Sequence, residues 1–176
     1  LGISLATMVA NLSSHKAGWD DRWEEFSLWA EKGQALKSEL LMLVDEDTRA
    51  FNLIMEAFSL PKSNDSEKTL RTAAIQDATR FAIEVPFRVM QRAFESMVII
   101  KAMAEIGNPN SVTDAGVGAL AARSAVLGAF LNVKINASGL HDKTFVQKVL
   151  ADGNLIQDNA MSMESEILSI VNSKIS

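Results

Sequence analysis

From Asp20 to Ser59 the chain runs without a proline. Trp23, Phe26, Ala30, Gly33, Leu40, Val44, Phe51, Ile54 and Phe58 recur there in an approximate heptad. That period belongs to a helix, and at 1.5 Å per residue the helix is roughly 60 Å long. One small partner cannot cover such a length. The rest of the chain must supply further helices, a second copy must pack on the outside, or both.

The remaining sequence agrees. Glycine (9) and proline (3) are sparse, β-branched alternation is nearly absent, and apolar residues keep recurring at three- and four-residue spacing. Five helices are predicted. The first, Leu1 to about Leu12, presents Leu5, Met8, Val9 and Leu12 and looks incomplete at its front. The second is the long one. Pro61 and Lys62-Ser63-Asn64-Asp65 end it and cap a third, about Ser66 to Ile106, which Pro86 should kink by removing a hydrogen bond. Gly107-Asn108-Pro109-Asn110 is a turn, and Ser111-x-x-Asp114 has the form of a cap for the fourth helix, to about Asn136. The fifth, about Asp142 to Ser173, buries Phe145, Val149, Ile156, Ala160, Met163, Ile167 and Ile170. No repeat or linker divides residues 1–176, so the expectation is a single all-α domain, an up-and-down antiparallel bundle whose surplus apolar stripe dimerises through helix faces.

Composition removes several kinds of chemistry. There is no cysteine, and His15 and His141 lie far apart, so no thiolate, Cys-ligated zinc or other metal centre is expected. Lys plus Arg is 17 against 22 for Asp plus Glu, a net charge of −5 without a basic cluster, which argues against nucleic acid. The most apolar stretch, Ala115 to Ile135, is broken by Arg123 and Lys134 and does not read as a membrane span. The expectation is a soluble, cytoplasmic protein whose chemistry rests on carboxylates, amides, hydroxyls, Lys or Arg.

Two places stand out. In Leu43-Val44-Asp45-Glu46-Asp47-Thr48-Arg49-Ala50-Phe51 the row Val44, Asp47, Phe51, Ile54 puts a carboxylate where an apolar side chain is expected. A buried carboxylate needs a partner, a ligand or a proton, and desolvation is the usual route to an acid or base that works near neutrality. A basic residue on a neighbouring helix, or a place at the bundle edge, satisfies the same pattern. Asp45 faces another side of the helix and reads as solvated. The fourth helix carries Asp114, Gly118, Ala121, Ala125, Gly128, Asn132 and Asn136 in one row of small and amide side chains, which admits either another helix or a flat ligand. Asp114 is explained equally by the free N–H groups of a first helical turn. Asp114 and Asn132 share an azimuth but stand about 27 Å apart along the axis, so one reacting centre meets both only across two subunits. Arg88 and Arg92 read as surface residues as readily as anion ligands. Arg123, inside an apolar stretch, is the better candidate for an anion.

The order of these segments has a precedent. The Leu43–Phe51 run, Leu60-Pro61-Lys62, Val85-Pro86, Gly107-Asn108 with Asp114 six residues on, and Phe130-Leu131-Asn132-Val133-Lys134-Ile135-Asn136 together resemble the cyclodeaminase/cyclohydrolase family over essentially the whole chain. The resemblance implies an all-helical homodimer that closes 5-formimidoyltetrahydrofolate to 5,10-methenyltetrahydrofolate with release of ammonia, a late step of histidine breakdown and part of one-carbon metabolism. It implies no cofactor beyond the tetrahydrofolate substrate, and a formimidoyltransferase as a separate partner or fused domain. Onto the matching positions it places Asp47 and Asp114 as acid/base groups with Asp45 behind them, Asn108, Asn132 and Asn136 as donors to the pterin or amidine, and Arg123 toward the folate carboxylates. Members carry a Pro-Gly-Gly-Gly-Ser loop ahead of the first helix, and the sequence begins at Leu1, already past it. Two other readings stay open: a methenyltetrahydrofolate cyclohydrolase giving 10-formyltetrahydrofolate, and a helical dimerisation module without catalysis.

Overall fold

A computed structural model describes residues 1–175 as five helices, α1 (Gly2–Ser14), α2 (Trp23–Ser59), α3 (Asp65–Ile106), α4 (Val112–Ala137) and α5 (Lys143–Ile175). Helix α3 is the spine, because α1, α2, α4 and α5 all pack on it. The α1–α2 turn uses Gly18 at φ 82°, a left-handed conformation open to glycine at little cost, and a 3₁₀ turn over Asp20–Arg22 then leads into α2. Capping at α3 follows the sequence: Asn64 accepts from the Glu67 N–H, and the Glu67 carboxylate accepts from the Ser63 N–H. Asp142 accepts from the Phe145 N–H and so opens α5.

The start of α4 differs from expectation. Ser111 makes no side-chain cap bond. A 3₁₀ turn over Pro109–Ser111 carries the chain in, led by Asn108, whose side-chain oxygen accepts from the Asn110 N–H. The reason is long-range: the Asn108 N–H donates to Ser13 Oγ at 2.8 Å, tying this corner to the end of α1.

The core is filled by Phe26, Phe130, Ile83, Met90, Met97, Ile100, Met103 and Ile167, all fully buried. Each contributes on the order of 1.5–3 kcal/mol through removal from water. Small residues set the helix spacings. A Cβ on Gly2 would lie 2.7 Å from the Gly118 carbonyl oxygen, and one on Gly153 would lie 2.3 Å from the Phe130 ring. Gly116 and Gly118 therefore serve close packing on α5 and α1. Gly128, in the same helix, meets nothing within 4 Å. Helix α4 is apolar enough by length and composition to cross a bilayer, and much of that apolarity lies against α1, α3 and α5.

Two helices bury different faces from those predicted. In α1, Ile3, Ala6, Val9 and Ala10 turn inward, while Met8 and Leu12 are exposed. In α2, Phe26, Ala30 and Gly33 are buried as expected, but further on the inward row is Leu36, Leu43, Ala50 and Ala57. Trp23, Val44, Phe51 and Phe58 are exposed. Leu41, Val44, Thr48, Phe51, Met55 and Phe58 form a second heptad row, spaced three and four, that no helix of this chain covers.

Candidate functional site

Helices α2 and α4 flank α3, and a groove runs between them. Its volume is about 360 Å³. Leu40, Leu43, Val44, Asp47 and Thr48 form one wall, Ala125, Ala129 and Asn132 the other, and Pro86 and Val89 of α3 the floor. At roughly 100° per residue, Asp47 stands on α2 between the inward row and the exposed row. Its carboxylate is exposed at the lip of the groove rather than sunk in the core. Thr48 Oγ1 donates back to the Val44 carbonyl. The side chains of Asp47 and Asn132 have no hydrogen bond or ion pair with any described residue. A carboxylate and an amide thus face a common apolar-walled space with their hydrogen-bonding capacity unspent.

The other predicted residues are distributed differently. Asp45 is exposed on α2 and lies outside the groove lining. Asp114 is half-buried in the first turn of α4, far up the helix from Asn132. One chain does not bring Asp47 and Asp114 together. Asn108 is engaged in the 3₁₀ turn. Arg123 pairs with Glu164 of α5, Nε to Oε2 3.5 Å, and Glu164 is 15% exposed. The Asn136 side-chain amide donates to the Ala82 carbonyl at 2.8 Å. Arg88 and Arg92, left open by the sequence, tie α3 to α2 through Glu46 and Glu39. Arg92 also bonds Glu95; that hydrogen bond first, then the charges of Glu39 and Glu95, hold its guanidinium above its ordinary value. These pairs are substantially exposed, and each is worth about 0–1 kcal/mol.

A larger cavity, about 540 Å³, opens between α3 and α5. Its arginines are spent on protein carboxylates, Arg80 on Glu84 and Asp142 and Arg88 on Glu46. The guanidinium of Arg80 also lies 4.2 Å from the Phe145 ring centroid. That cavity also holds Gln91, Lys148 and Asp152, whereas the smaller α2–α4 groove sets one acid and one amide among apolar walls. Among the described residues no three His, Cys, Asp or Glu side chains gather to hold a metal. Sequence reasoning missed the floor of the groove. Pro86 was legible as a kink, and the carbonyl it frees four residues earlier was the signal that a polar partner had to come from elsewhere.

An all-helical domain with one unpaired carboxylate and one amide in an apolar-walled groove is the class that fold and site define, and comparison with known proteins makes it specific. Residues 1–154 match the formiminotransferase-cyclodeaminase family. A methenyltetrahydrofolate cyclohydrolase of Methylorubrum extorquens is 33% identical over 175 residues, 99% of this chain and 84% of that protein. The formimidoyltransferase-cyclodeaminase of Rattus norvegicus is 31% identical over 148 residues, which are 84% of this chain and 27% of that protein. The chain thus spans about a quarter of that relative's length. In fold, it matches the crystal structure of a formiminotetrahydrofolate cyclodeaminase from Thermotoga maritima with a TM-score of 0.85 at 24% identity, covering 99% of this chain and 83% of that one. The chain belongs to the formiminotransferase-cyclodeaminase family of enzymes.

Proposed function

We propose that the α2–α4 groove binds a tetrahydrofolate derivative and that the chain closes 5-formimidoyltetrahydrofolate to 5,10-methenyltetrahydrofolate, releasing ammonia. The observation that carries this reading is Asp47, a carboxylate without a protein partner, beside apolar walls and across from the equally free Asn132 amide. Ring closure needs nitrogen 10 to attack the amidine carbon on nitrogen 5. The proton leaves nitrogen 10, the carbon–nitrogen bond to the exocyclic amine breaks, and that amine departs with a proton. With the amidine entering as its protonated amidinium form, a carboxylate can take the nitrogen 10 proton and return it to the amine, so that ammonia and the methenyl cation form without another reactant. Holding the two nitrogens in a reactive pose supplies much of the remaining rate. Asn132 is suited to hold the pterin or amidine.

The exposed heptad row of α2 supports a homodimer in this reading. Val44, on the groove wall, and Phe51, one turn beyond Asp47, are each 62% exposed. On α4, Leu131 and Ile135, 65% and 71% exposed, continue the apolar surface beyond Asn132. A second copy seated there would roof the groove and exclude water from Asp47. Asp114 and Asp45 enter the mechanism only if that copy carries them to the groove. Arg123 meets a folate carboxylate only at the expense of Glu164. A formimidoyltransferase, fused or separate, would supply the substrate in the cytoplasm.

The relative from Methylorubrum extorquens favours a second reading. In a cyclohydrolase the same carboxylate would activate water to open the methenyl bridge to 10-formyltetrahydrofolate. Assays with both substrates separate the two: ammonia release from the formimidoyl compound, against loss of methenyl absorbance without ammonia. Within whichever reaction runs, Asp47→Asn should lower turnover by about 10²-fold or more while the protein folds normally. If Asp47→Asn and Asp114→Asn both keep near wild-type turnover, the acid/base assignment is wrong.

A further inference from the structure

Pro86 lies inside α3 with no N–H to give, so the carbonyl four residues back, that of Ala82, loses its helical donor. Ala82 is buried, and a buried carbonyl without a partner is costly. The missing donor comes from another helix: Asn136 Nδ2 of α4 lies 2.8 Å from the Ala82 oxygen. The same proline, with Val89, floors the groove that Asp47 and Asn132 share, and Asn136 sits one turn beyond Asn132. We propose that Asn136 is a positioning residue: its amide completes the interrupted ladder of α3, fixes the bend at Pro86, and so sets the distance between groove floor and walls without touching the ligand. This rests on the groove being the folate site. It replaces the ligand role that the resemblance implied for Asn136, because the side-chain donor is turned into the bundle and already used.

An epistasis cycle tests it, combining Asn136→Leu, which keeps the volume and deletes the donor, with Pro86→Ala, which restores a backbone N–H to the Ala82 carbonyl. In the parent background Asn136→Leu should lower the unfolding midpoint by about 3–8 °C and reduce kcat by about tenfold or more. With alanine at 86 it should cost less than half that midpoint shift and change kcat by less than about twofold, since the carbonyl is then served from within α3. An equal midpoint loss in both backgrounds overturns the proposal. So does a further tenfold loss of turnover on top of Pro86→Ala, which would put Asn136 on the substrate. Asn136→Ala in the same cycle serves if the leucine variant does not fold. The midpoint cycle needs no substrate, and a crystal structure of Asn136→Leu reads the position of Pro86 and Val89 directly: an unmoved floor refutes the positioning role. Should the wild-type protein turn over neither folate, the functional reading fails while these two measurements still decide the inference.

Discussion

Helix α2 carries two apolar heptads side by side, and they have opposite fates. Leu36, Leu43, Ala50 and Ala57 repeat every seven residues and are buried. Val44, Phe51 and Phe58 repeat every seven residues, one position on, and are exposed. The inward row becomes smaller toward the C-terminal end, which lets α2 lie close to α3. The outward row is built of large side chains, including two phenylalanines. A helix that met only its own chain would gain by the reverse arrangement, since large side chains gain most from burial. In the proposed homodimer the outer row is the surface that meets the second copy, and Asp47, on the boundary between the rows, is the group that this copy would enclose.

Charging the outer row should have the largest effect. Val44→Glu combined with Phe51→Glu should leave helical circular dichroism intact, convert a dimer to a monomer in sedimentation equilibrium at micromolar concentration, and weaken association by more than about 10²-fold. Turnover should fall with dimer content. A wild-type chain that sediments as a monomer would instead remove the partner altogether.

Truncating the inner row should act on folding. Leu43→Ala should destabilise the chain by about 2–4 kcal/mol in urea unfolding, through lost burial and the cavity left behind. The subunits that do fold should keep their affinity for each other. If Leu43→Ala and the charged pair gave the same phenotype, the two rows would not be distinct surfaces.

The smallest effect sharpens the comparison on α4. Gly128→Ala adds a methyl group that meets nothing in the single chain, and alanine is the better helix former by about 1 kcal/mol. Stability measured below the dimer dissociation concentration should rise by about 0.5–1 kcal/mol. If association weakens at the same time, α4 joins α2 in the interface; if it does not, the interface belongs to α2 alone.

Much of the architecture was legible. Pro61 and the Asn64 cap, the turn at Gly107, and the inward faces of α5 follow from local chemistry, because caps, breakers and period act within a few residues. The faces of α2 were not legible, because two overlapping heptads give one composite stripe and the sequence does not say which azimuth meets α3. Of the candidate site, Asp47 and Asn132 could be named from the sequence as a misplaced acid and an amide in a row of small residues. Their shared groove could not, and neither could the use of Asn136 on Ala82, of Asn108 on its own turn, or of Arg123 on Glu164.

Sequence alone determined that this chain is helical, where its helices begin and end, and which helix must bend. Those outcomes depend on backbone geometry and on side chains a turn or so away. Tertiary structure decided which row of α2 faces inward, which α4 glycines meet another helix, and which polar groups remain free to meet a ligand. Each of these is a meeting between residues tens of positions apart, fixed only once α3 has gathered the other helices around it.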